Sequence, residues 1–343
     1  MSARAAVLER PGRVEDRPLR LQSLARAQPG PGEVLVAVTA CAICRTDLHV
    51  VEGELPQRRS PLVPGHQVVG TVAARGAGVD APALGERVGI AWLHHTCGVC
   101  RFCRSGRENL CERPDFTGWT VDGGYADFAL APAAFTYALP ASFSDVAAAP
   151  LLCAGIIGWR ALSLAGLGDD WRGARLGLYG FGAAGHIAIQ LARSRGAEAF
   201  VCTRDRERHQ ALASELGAAW VGDTFDAPPA PLDAAIVFAP AGEIVPAALA
   251  ALDKGGTLVL GGIHMSPIPV LPYERLYGER VVRTVANNTR ADGRAFLAEA
   301  AAAGVHTSVR TFPLEQCNEA LVALKDDAFR GAGVLVMNPG GKT

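Results

Sequence analysis

The chain has 343 residues, more than a single hydrophobic core usually supports, so we expect two domains. Hydrophobic residues make up 49% of the chain and charged residues 20%, a composition that excludes wholesale disorder. The formal net charge of -1 comes from 33 basic and 34 acidic residues, so no excess positive charge is present to bind nucleic acid or an anionic membrane.

The first part of the chain consists of short β-type stretches separated by proline and glycine. These stretches predict strands at 32–39, 66–73, 86–91 and 126–130. We therefore expect an irregular, mostly β domain up to about residue 150.

The densest motif in the sequence is a group of four closely spaced cysteines: Cys97, Cys100, Cys103 and Cys111. Their spacing lets one short lobe, residues 94–113, place four thiolates around a single ion. Four soft ligands leave no coordination position for a substrate, so we expect a structural zinc site that stabilises the lobe. The alternatives are scattered buried cysteines, an iron-sulfur cluster and a zinc-ribbon module for nucleic acid, which would need a more basic surface.

Three further candidate ligands lie far apart in the chain: Cys44 in CRTDLH, His66 in PGHQVVG and Cys153 in PLLCAG. One imidazole and two thiolates with a vacant fourth position are the composition of one class of catalytic zinc site. Such a site polarises an alcohol oxygen. Taken one at a time, each residue is more often a buried thiol or a structural histidine than a ligand, so spacing alone does not assign this set.

The longest apolar stretch, 146–159, contains Pro150 and is shorter than the roughly 20 residues that a membrane helix needs. The N-terminal residues lack the apolar core of a secretory signal. We therefore expect a cytoplasmic protein. In that compartment, nine cysteines are explained more easily by metal ligation and buried thiols than by disulfides.

From residue 173 the pattern changes to an alternation of strands and helices. It predicts strands at 175–179, 198–203, 234–238, 257–260 and 281–285, and helices at 183–194, 206–216 and 244–252. This alternation is typical of a parallel sheet. After residue 288 we predict helices at 291–304 and 314–325 and a strand at 334–337, which either extend this sheet or return to the first domain.

The loop GFGAAG places Gly180, Gly182 and Gly185 between a predicted strand and a predicted helix. This is the setting in which such glycines bind a dinucleotide: the first permits a tight turn, the second lets the backbone approach the pyrophosphate, and the third lets helix and strand pack closely. The alternative is three glycines in an ordinary turn.

The end of the second strand of this pattern indicates the choice of cofactor. Thr203 lies where an acidic residue would bind the ribose hydroxyls, and Arg204 follows it. A hydroxyl and a guanidinium suit a 2′-phosphate, so NADP is favoured over NAD. Asp205 is one position further on and would favour NAD instead.

Together these motifs resemble, in order and over nearly the whole length, the zinc-containing alcohol dehydrogenases of the medium-chain dehydrogenase/reductase superfamily. PGEVLV and DGGYADF complete the set. The resemblance implies an α/β fold with a GroES-like, β-rich catalytic domain at 1–154 and 288–343. It implies a Rossmann domain with a doubly wound parallel sheet at 155–287, and an active site in the cleft between the two.

The resemblance also implies two zinc ions per chain, with the dispersed set binding the catalytic zinc and the four-cysteine set the structural zinc. It implies that the hydroxyl of Thr46 contacts the alcohol, that His49 relays the proton to solvent, and that Arg45 faces the cofactor pyrophosphate. The alternative for Thr46 and His49 is a capping turn and a solvated histidine.

Trp92 and Leu93, and also Trp119, match positions that line the family's substrate pocket, where a large indole would restrict bulky alcohols. The alternative for Trp92 is a plain core residue. The implied partners are a small-molecule alcohol or aldehyde and further copies of the chain in a homodimer or homotetramer.

Two positions depart from the family pattern. Gln67 follows His66 where the family usually has glutamate, and Gly333 lies where many members have arginine, with Arg330 three residues earlier. Losing both charges together is electrostatically consistent, because either charge alone would be left unpaired.

The leading hypothesis is a zinc-dependent dehydrogenase that transfers a hydride between a primary or simple secondary alcohol, or the aldehyde, and NAD(P). A zinc-free quinone or enone reductase of the same superfamily and a cofactor-binding protein without turnover are the alternatives. The zinc content of the protein separates them.

Overall fold

The computed structural model describes residues 2–337. Its strands are, in chain order, β1 (Ser2–Leu8), β2 (Leu19–Ala25), β3 (Glu33–Ile43), β4 (Gln67–Arg75), β5 (Arg87–Ile90), β6 (Leu93–His95), β7 (Asp115–Phe116), β8 (Phe128–Pro132), β9 (Thr136–Ala138), β10 (Arg175–Tyr179), β11 (Glu198–Cys202), β12 (Trp220–Gly222), β13 (Leu232–Val237), β14 (Leu252–Leu260), β15 (Val281–Thr284), β16 (Val309–Pro313) and β17 (Ala332–Val336).

The α-helices of the same residues are α1 (Arg45–Glu52), α2 (Arg101–Arg104), α3 (Asp145–Ala148), α4 (Ala154–Leu164), α5 (Ala183–Ser194), α6 (Ala211–Glu215), α7 (Ile244–Ala251), α8 (Arg290–Ala302) and α9 (Cys317–Lys325). A wider, π-type helical turn, Arg206–Gln210, leads into α6. A short 3-10 turn, Leu314–Gln316, leads into α9.

The described residues divide into two compact units. One contains residues 2–153, 289–297 and 307–337, and the other contains 154–288 and 298–306. The sequence prediction assigned 1–154 and 288–343 to the first domain, whereas residues 154, 288 and 298–306 here belong to the second unit. The main difference is the segment 298–306. The reason is local: Arg195 pairs with Glu299 at 2.6 Å, and Gln190 exchanges two hydrogen bonds with the backbone of His306. The predicted domain limits at 1 and 343 lie outside the described residues.

The first unit is built on a mostly antiparallel sheet in the order β16-β17-β3-β4-β5-β9, with β8 also paired to β3. The central strand β3 is buried along almost its whole length, and its apolar residues pack into the main core of the unit. The β3 and β4 pairing continues to Ala42 opposite Gln67. This register brings the end of β3 beside the start of β4.

The second unit contains a parallel sheet in the order β12-β11-β10-β13-β14-β15. Numbered within the unit, this is the order 3-2-1-4-5-6 of a doubly wound sheet. The predicted Rossmann sheet is therefore confirmed, and the strand order reverses between β10 and β13. Ligands of such sheets bind beyond the carboxyl ends of the strands at this reversal.

No single helix in residues 2–337 is long and apolar enough to cross a membrane. One bent pair of helical segments, Asp145–Leu152 and Ala154–Leu164, passes the test of length and composition only when the two are joined. Their apolar side chains include Leu151, Leu152 and Ile156, which are fully buried inside the fold.

Candidate active site and metal centres

The sheet of the first unit brings together three residues that are distant in sequence. Cys44 follows the last residue of β3, His66 precedes the first residue of β4, and Cys153 follows the helical turn Ala149–Leu152. One ligand atom from each, two Sγ atoms and one imidazole nitrogen, lie within 4.8 Å of one another. The predicted dispersed set is thus assembled in space.

The start of α1 fixes the position of Cys44. Cys44 is the N-cap residue, and its Sγ accepts a hydrogen bond from the backbone N–H of Thr46 at 3.2 Å. The carboxylate of Asp47 accepts from the backbone N–H of Cys44 at 2.9 Å, which completes a capping box. The CRTD segment therefore orients the thiol by ordinary helix capping.

Asp47 also holds the histidine of the cluster. Its other oxygen lies 2.8 Å from Nδ1 of His66, and both side chains are almost fully buried. Nε2 of His66 is buried and has no hydrogen-bond partner among the described residues. A buried nitrogen without a partner, on a ring whose other nitrogen is held by a carboxylate, is the arrangement of a metal-ligating histidine.

The charges of the cluster favour a cation. Burial lowers the pKa of His66, but the Asp47 carboxylate and the Cys44 thiolate raise it more, to about 10. A hydrogen bond from Cys153 and the proximity of the His66 ring hold the pKa of Cys44 well below its ordinary value. The negative potential that draws a proton onto His66 equally attracts a divalent metal ion, so these residues fit a zinc ion.

The proposed relay residues lie on α1. Thr46 is 8% exposed and directly follows Arg45, the half-buried first residue of the helix. His49, one turn later, is 7% exposed, so the alternative of a solvated histidine is wrong. Its Nδ1 contacts the carboxylate of Glu54.

An aromatic wall adjoins the cluster. The rings of His66 and Trp92 meet edge to face with centroids 5.0 Å apart, and Trp92 stacks on Phe116 at 5.1 Å and on Trp119 at 5.8 Å. Trp92 is 7% exposed and contacts the candidate ligand His66, and its role in the substrate pocket stays a prediction. Leu93 is 1% exposed on β6, and its role in the pocket stays a prediction.

Sequence reasoning missed two members of this site, Asp47 and Phe116. Asp47 could have been found from its position three residues after Cys44, where a capping carboxylate is expected. Phe116 had no such indication, because its place beside Trp92 depends on the β6 and β7 pairing.

The four-cysteine lobe also brings its thiols together. The Sγ–Sγ distances are 3.5 Å for Cys97–Cys111 and Cys100–Cys103 and 4.0 Å for Cys97–Cys103. Zinc–sulfur bonds of about 2.3 Å in a tetrahedron place the sulfurs about 3.8 Å apart, so the spacing fits one zinc ion. Hydrogen bonds from backbone N–H groups lower the pKa of Cys97 to about 6, which favours the thiolate.

The glycine loop of the second unit is shaped for a phosphate group. Gly180 has a φ of 88°, and a Cβ there would lie 2.9 Å from the backbone nitrogen of Ala239. A Cβ at Gly185 would lie 2.8 Å from the carbonyl of Gly180, whereas one at Gly182 would meet nothing within 4 Å. Gly182 also begins α5 without a side-chain cap. The open space and the helix N terminus fit a dinucleotide pyrophosphate.

At the end of β11, Thr203 is buried and Arg204 is exposed. Asp205 has a φ of 65° and caps the turn that follows. Its two carboxylate oxygens accept from the backbone N–H of Arg208 at 2.9 Å and from Nε of Arg208 at 2.6 Å. The Asp205 carboxylate therefore caps the turn that follows it and pairs with Arg208 of that turn.

The structure shows what surrounds Gln67 and Gly333, the two positions that depart from the family pattern. Gln67 is 1% exposed, and its Oε1 has no hydrogen-bond partner in the part of the chain described. A Cβ at Gly333 would lie 2.7 Å from Cδ1 of Ile43 and 3.0 Å from Cζ of Phe329. This packing leaves no room for an arginine side chain at Gly333, and Arg330 is exposed.

Comparison with known proteins defines the class. Residues 30–141 match the alcohol dehydrogenase GroES-like domain family, and residues 183–302 match the zinc-binding dehydrogenase family. The chain is 51% identical over 336 residues to the probable alcohol dehydrogenase AdhA of Mycobacterium tuberculosis, with 96% of each chain covered. It is 34% identical to an alcohol dehydrogenase of Geobacillus stearothermophilus, covering 93% of this chain and 96% of the other.

Solved structures of alcohol dehydrogenases superpose on this chain and support the same class. A cinnamyl alcohol dehydrogenase of Sorghum bicolor superposes with a TM-score of 0.89 at 27% identity, covering all of both chains. A cobalt- and zinc-bound thermostable alcohol dehydrogenase of Pyrobaculum aerophilum gives 0.88 at 26% identity, covering 98% of this chain and 100% of the other. The chain belongs to the zinc-containing alcohol dehydrogenases of the medium-chain dehydrogenase/reductase superfamily, and the sequence prediction of the family is confirmed. It is a zinc-dependent alcohol dehydrogenase.

Proposed function

We propose that this alcohol dehydrogenase acts at the cluster of Cys44, His66 and Cys153 on a primary or simple secondary alcohol, or the aldehyde, and that it prefers NADP. The observation that carries the site is the buried Nε2 of His66, which has no partner in the described residues and lies beside two thiols. A zinc ion held there supplies a Lewis acid that makes the alcohol proton easier to remove.

The chain's own residues then take up the proton. Thr46 and His49 are both buried on α1, the helix whose first turn also positions Cys44. A hydroxyl can only pass a proton on, so a group that titrates near neutral pH is needed to exchange it with water. We assign Thr46 to the contact with the alcohol, His49 to this exchange and Arg45 to the cofactor pyrophosphate.

The aromatic wall selects the substrate. Trp92, which contacts His66, stacks on Phe116 and on Trp119. The indole N–H of Trp119 donates to the carbonyl of Pro56 at 2.9 Å. Because this wall is held in place, and Leu93 lies beside it, it excludes alcohols that are branched near the reacting carbon. It accepts alcohols that are flat or slender.

The preference for NADP rests on the charges at the end of β11. The Asp205 carboxylate pairs with Arg208 and accepts a hydrogen bond from the N terminus of the helical turn that follows. It is therefore not available to bind the ribose hydroxyls, as the acid at this position does in NAD enzymes. Arg204 stays exposed beside the buried Thr203. A guanidinium and a hydroxyl at this position suit a 2′-phosphate.

The four-cysteine lobe is assigned a second, structural zinc ion, because its four thiols match tetrahedral spacing and leave no open position. The unit carrying both cysteine sets is the proposed catalytic domain, and the unit carrying the glycine loop is the proposed cofactor domain.

The edge of the parallel sheet supports a homodimer. The edge strand β15 is exposed along its whole length, and the segment before it exposes Val270, Tyr273 and Tyr277 at 96%, 73% and 70%. An apolar, unpaired strand edge is a site for pairing with a second copy. Light scattering checks this assignment: the parent is expected at two chains or a multiple of two, and V282K, which charges the edge, at half the parent's number.

The function is tested by a screen of alcohols and aldehydes with NADPH and NADH, following the absorbance of the reduced nicotinamide. We expect turnover with simple primary alcohols and a kcat/KM roughly 10-fold or more higher with NADPH, the size of one charge-assisted hydrogen bond. The double variant T203D/R204A should turn the preference toward NADH, because its carboxylate accepts from the ribose and repels phosphate.

Arg172→Ala is the matched control for that variant, since Arg172 is exposed and pairs with Asp170 away from the end of β11. It should leave the preference unchanged. A parent enzyme that is more efficient with NADH contradicts the assignment of Arg204.

A further inference from the structure

The turn after α1 folds back on the relay histidine. The helix ends at Glu52, and Gly53 turns the chain with a φ of 81°. The backbone N–H of Leu55 then donates to the carbonyl of His49 at 3.1 Å. This turn delivers the carboxylate of Glu54 to Nδ1 of His49.

A carboxylate facing Nδ1 determines what the other ring nitrogen does. An ionised carboxylate only accepts, so Nδ1 of the neutral ring carries the proton and Nε2 presents a lone pair. When Nε2 takes up a proton, the neighbouring carboxylate stabilises the imidazolium that results. The proton then leaves the ring for water.

The two side chains differ in their exposure to solvent. The side chain of His49 is 9% exposed, whereas that of Glu54 is 48% exposed. The ring is therefore nearly enclosed, and its partner reaches solvent.

Two other carboxylates of α1 have partners of their own. Asp47, on the same helix, contacts His66, and Glu52 binds Lys325 of α9 at 2.7 Å. Lys325 also pairs with Glu15 at 2.9 Å. The carboxylate of Glu54, by contrast, contacts the His49 ring directly.

We propose that Glu54 is a positioning residue for the proton relay, holding His49 in the tautomer whose Nε2 accepts the proton. This inference rests on the proposed role of His49. It assigns to an ordinary surface glutamate a part in alcohol oxidation.

The test compares Glu54→Gln with Glu54→Asp and with the matched control Glu52→Gln, which removes the same charge two residues away. We expect Glu54→Gln to lower kcat for alcohol oxidation about 10-fold near neutral pH and to leave KM unchanged. A loss of about 10-fold is the lower end of what is seen when a residue that orients a functional histidine is replaced. The loss should shrink at high pH, where hydroxide takes the proton. Glu54→Asp should recover most of the rate, and Glu52→Gln should keep the parent's pH profile.

A second readout does not depend on turnover. Nitrogen-15 NMR of the His49 ring in the zinc-loaded enzyme, without cofactor, should show a protonated Nδ1 in the parent and a mixture of tautomers in Glu54→Gln. A parent ring protonated at Nε2, or a Glu54→Gln profile equal to the parent's while His49→Gln alters it, overturns the inference and leaves the relay standing. If His49→Gln also keeps the parent's profile, the relay itself is wrong and the inference falls with it.

Discussion

The four-cysteine lobe takes all its thiols from one short segment, Cys97 to Cys111, whereas the dispersed cluster takes Cys44, His66 and Cys153 from three distant places. The lobe has small elements of its own, the two-stranded sheet of β6 and β7 and the four-residue helix α2. In the dispersed cluster, Cys44 and His66 instead lie at the ends of the long strands β3 and β4, and Cys153 follows a buried helical turn.

This difference separates two uses of a metal ion. We propose that the lobe depends on a bound ion for its structure, because its own elements are only a two-stranded sheet and a four-residue helix. The ends of β3 and β4 and a buried helical turn hold the dispersed residues in place, so we propose that an ion bound there serves the chemistry. The predictions below test this separation, starting with the largest expected effect.

Replacing His66 or Cys153 with alanine should remove alcohol oxidation while the protein stays folded. A Lewis acid contributes several kcal/mol of transition-state stabilisation, so turnover should fall on the order of 10³-fold or more. Steady-state kinetics and circular dichroism measure the two effects. Cys317→Ala, which alters a buried thiol of α9, is the control and should stay active. Full turnover in either ligand variant would contradict the catalytic assignment.

Replacing Cys103 with serine should act on stability instead. Loss of one thiolate opens the closed site, and the midpoint of thermal unfolding should fall by roughly 5–10 °C, at about 2–4 °C per kcal/mol for a chain of this size. The zinc content should fall by one ion per chain. Val99→Ser, at a residue 56% exposed in the same lobe, is the control. Unchanged unfolding and zinc content would rule out a structural ion.

Replacing His49 with glutamine should slow turnover without touching either metal site. The expected loss is roughly 10- to 100-fold, the low end of general acid–base effects, with recovery at higher pH. Measurement of kcat against pH, together with zinc content, checks both statements. A pH profile identical to the parent's removes His49 from the relay.

The smallest effect concerns the ion pair that ties the lobe to α8. Arg290 donates to both oxygens of Glu108, at 3.0 and 2.7 Å. Partial burial alone would raise the pKa of Glu108, but the hydrogen bonds from Arg290 outweigh it and lower the pKa. The contribution to stability is therefore complete above the ordinary glutamate pKa, about 4.3, and is lost as the pH falls through the lowered value.

Glu108→Gln should cost about 1 to 2 kcal/mol at neutral pH and lower the unfolding midpoint by a few degrees. The difference from the parent should vanish in acid. Glu112→Gln, an exposed lobe residue 3.7 Å from Arg101, should change little. An equal loss of stability in both variants would show that the net charge of the lobe, and not the ion pair between Glu108 and Arg290, determines the effect.

Much of the fold was predictable because periodic segments determine their own structure. The predicted helix at 183–194 and strand at 175–179 match α5 and β10. Seven strands were missed, because segments without a clear period of their own acquire strand structure from their neighbours in the sheet: β1, β2, β6, β7, β9, β12 and β16. The helix α1 was missed because CRTDLH carries its capping signal in a cysteine and an aspartate whose roles depend on the tertiary site.

The candidate sites divide in the same way. The lobe could be predicted from spacing alone, whereas the dispersed set needed the family resemblance, because only the β3 and β4 register places Cys44 beside His66. Glu54 could not be predicted, because its contact with His49 depends on the turn at Gly53.

Metal analysis of the purified enzyme by mass spectrometry tests the separation of the two sites most directly. The account predicts two zinc ions per chain in the parent, and one in both Cys153→Ala and Cys103→Ser. Only Cys153→Ala should keep the parent's unfolding midpoint. One zinc ion per chain in the parent, or an unfolding midpoint that falls equally in both variants, would contradict it.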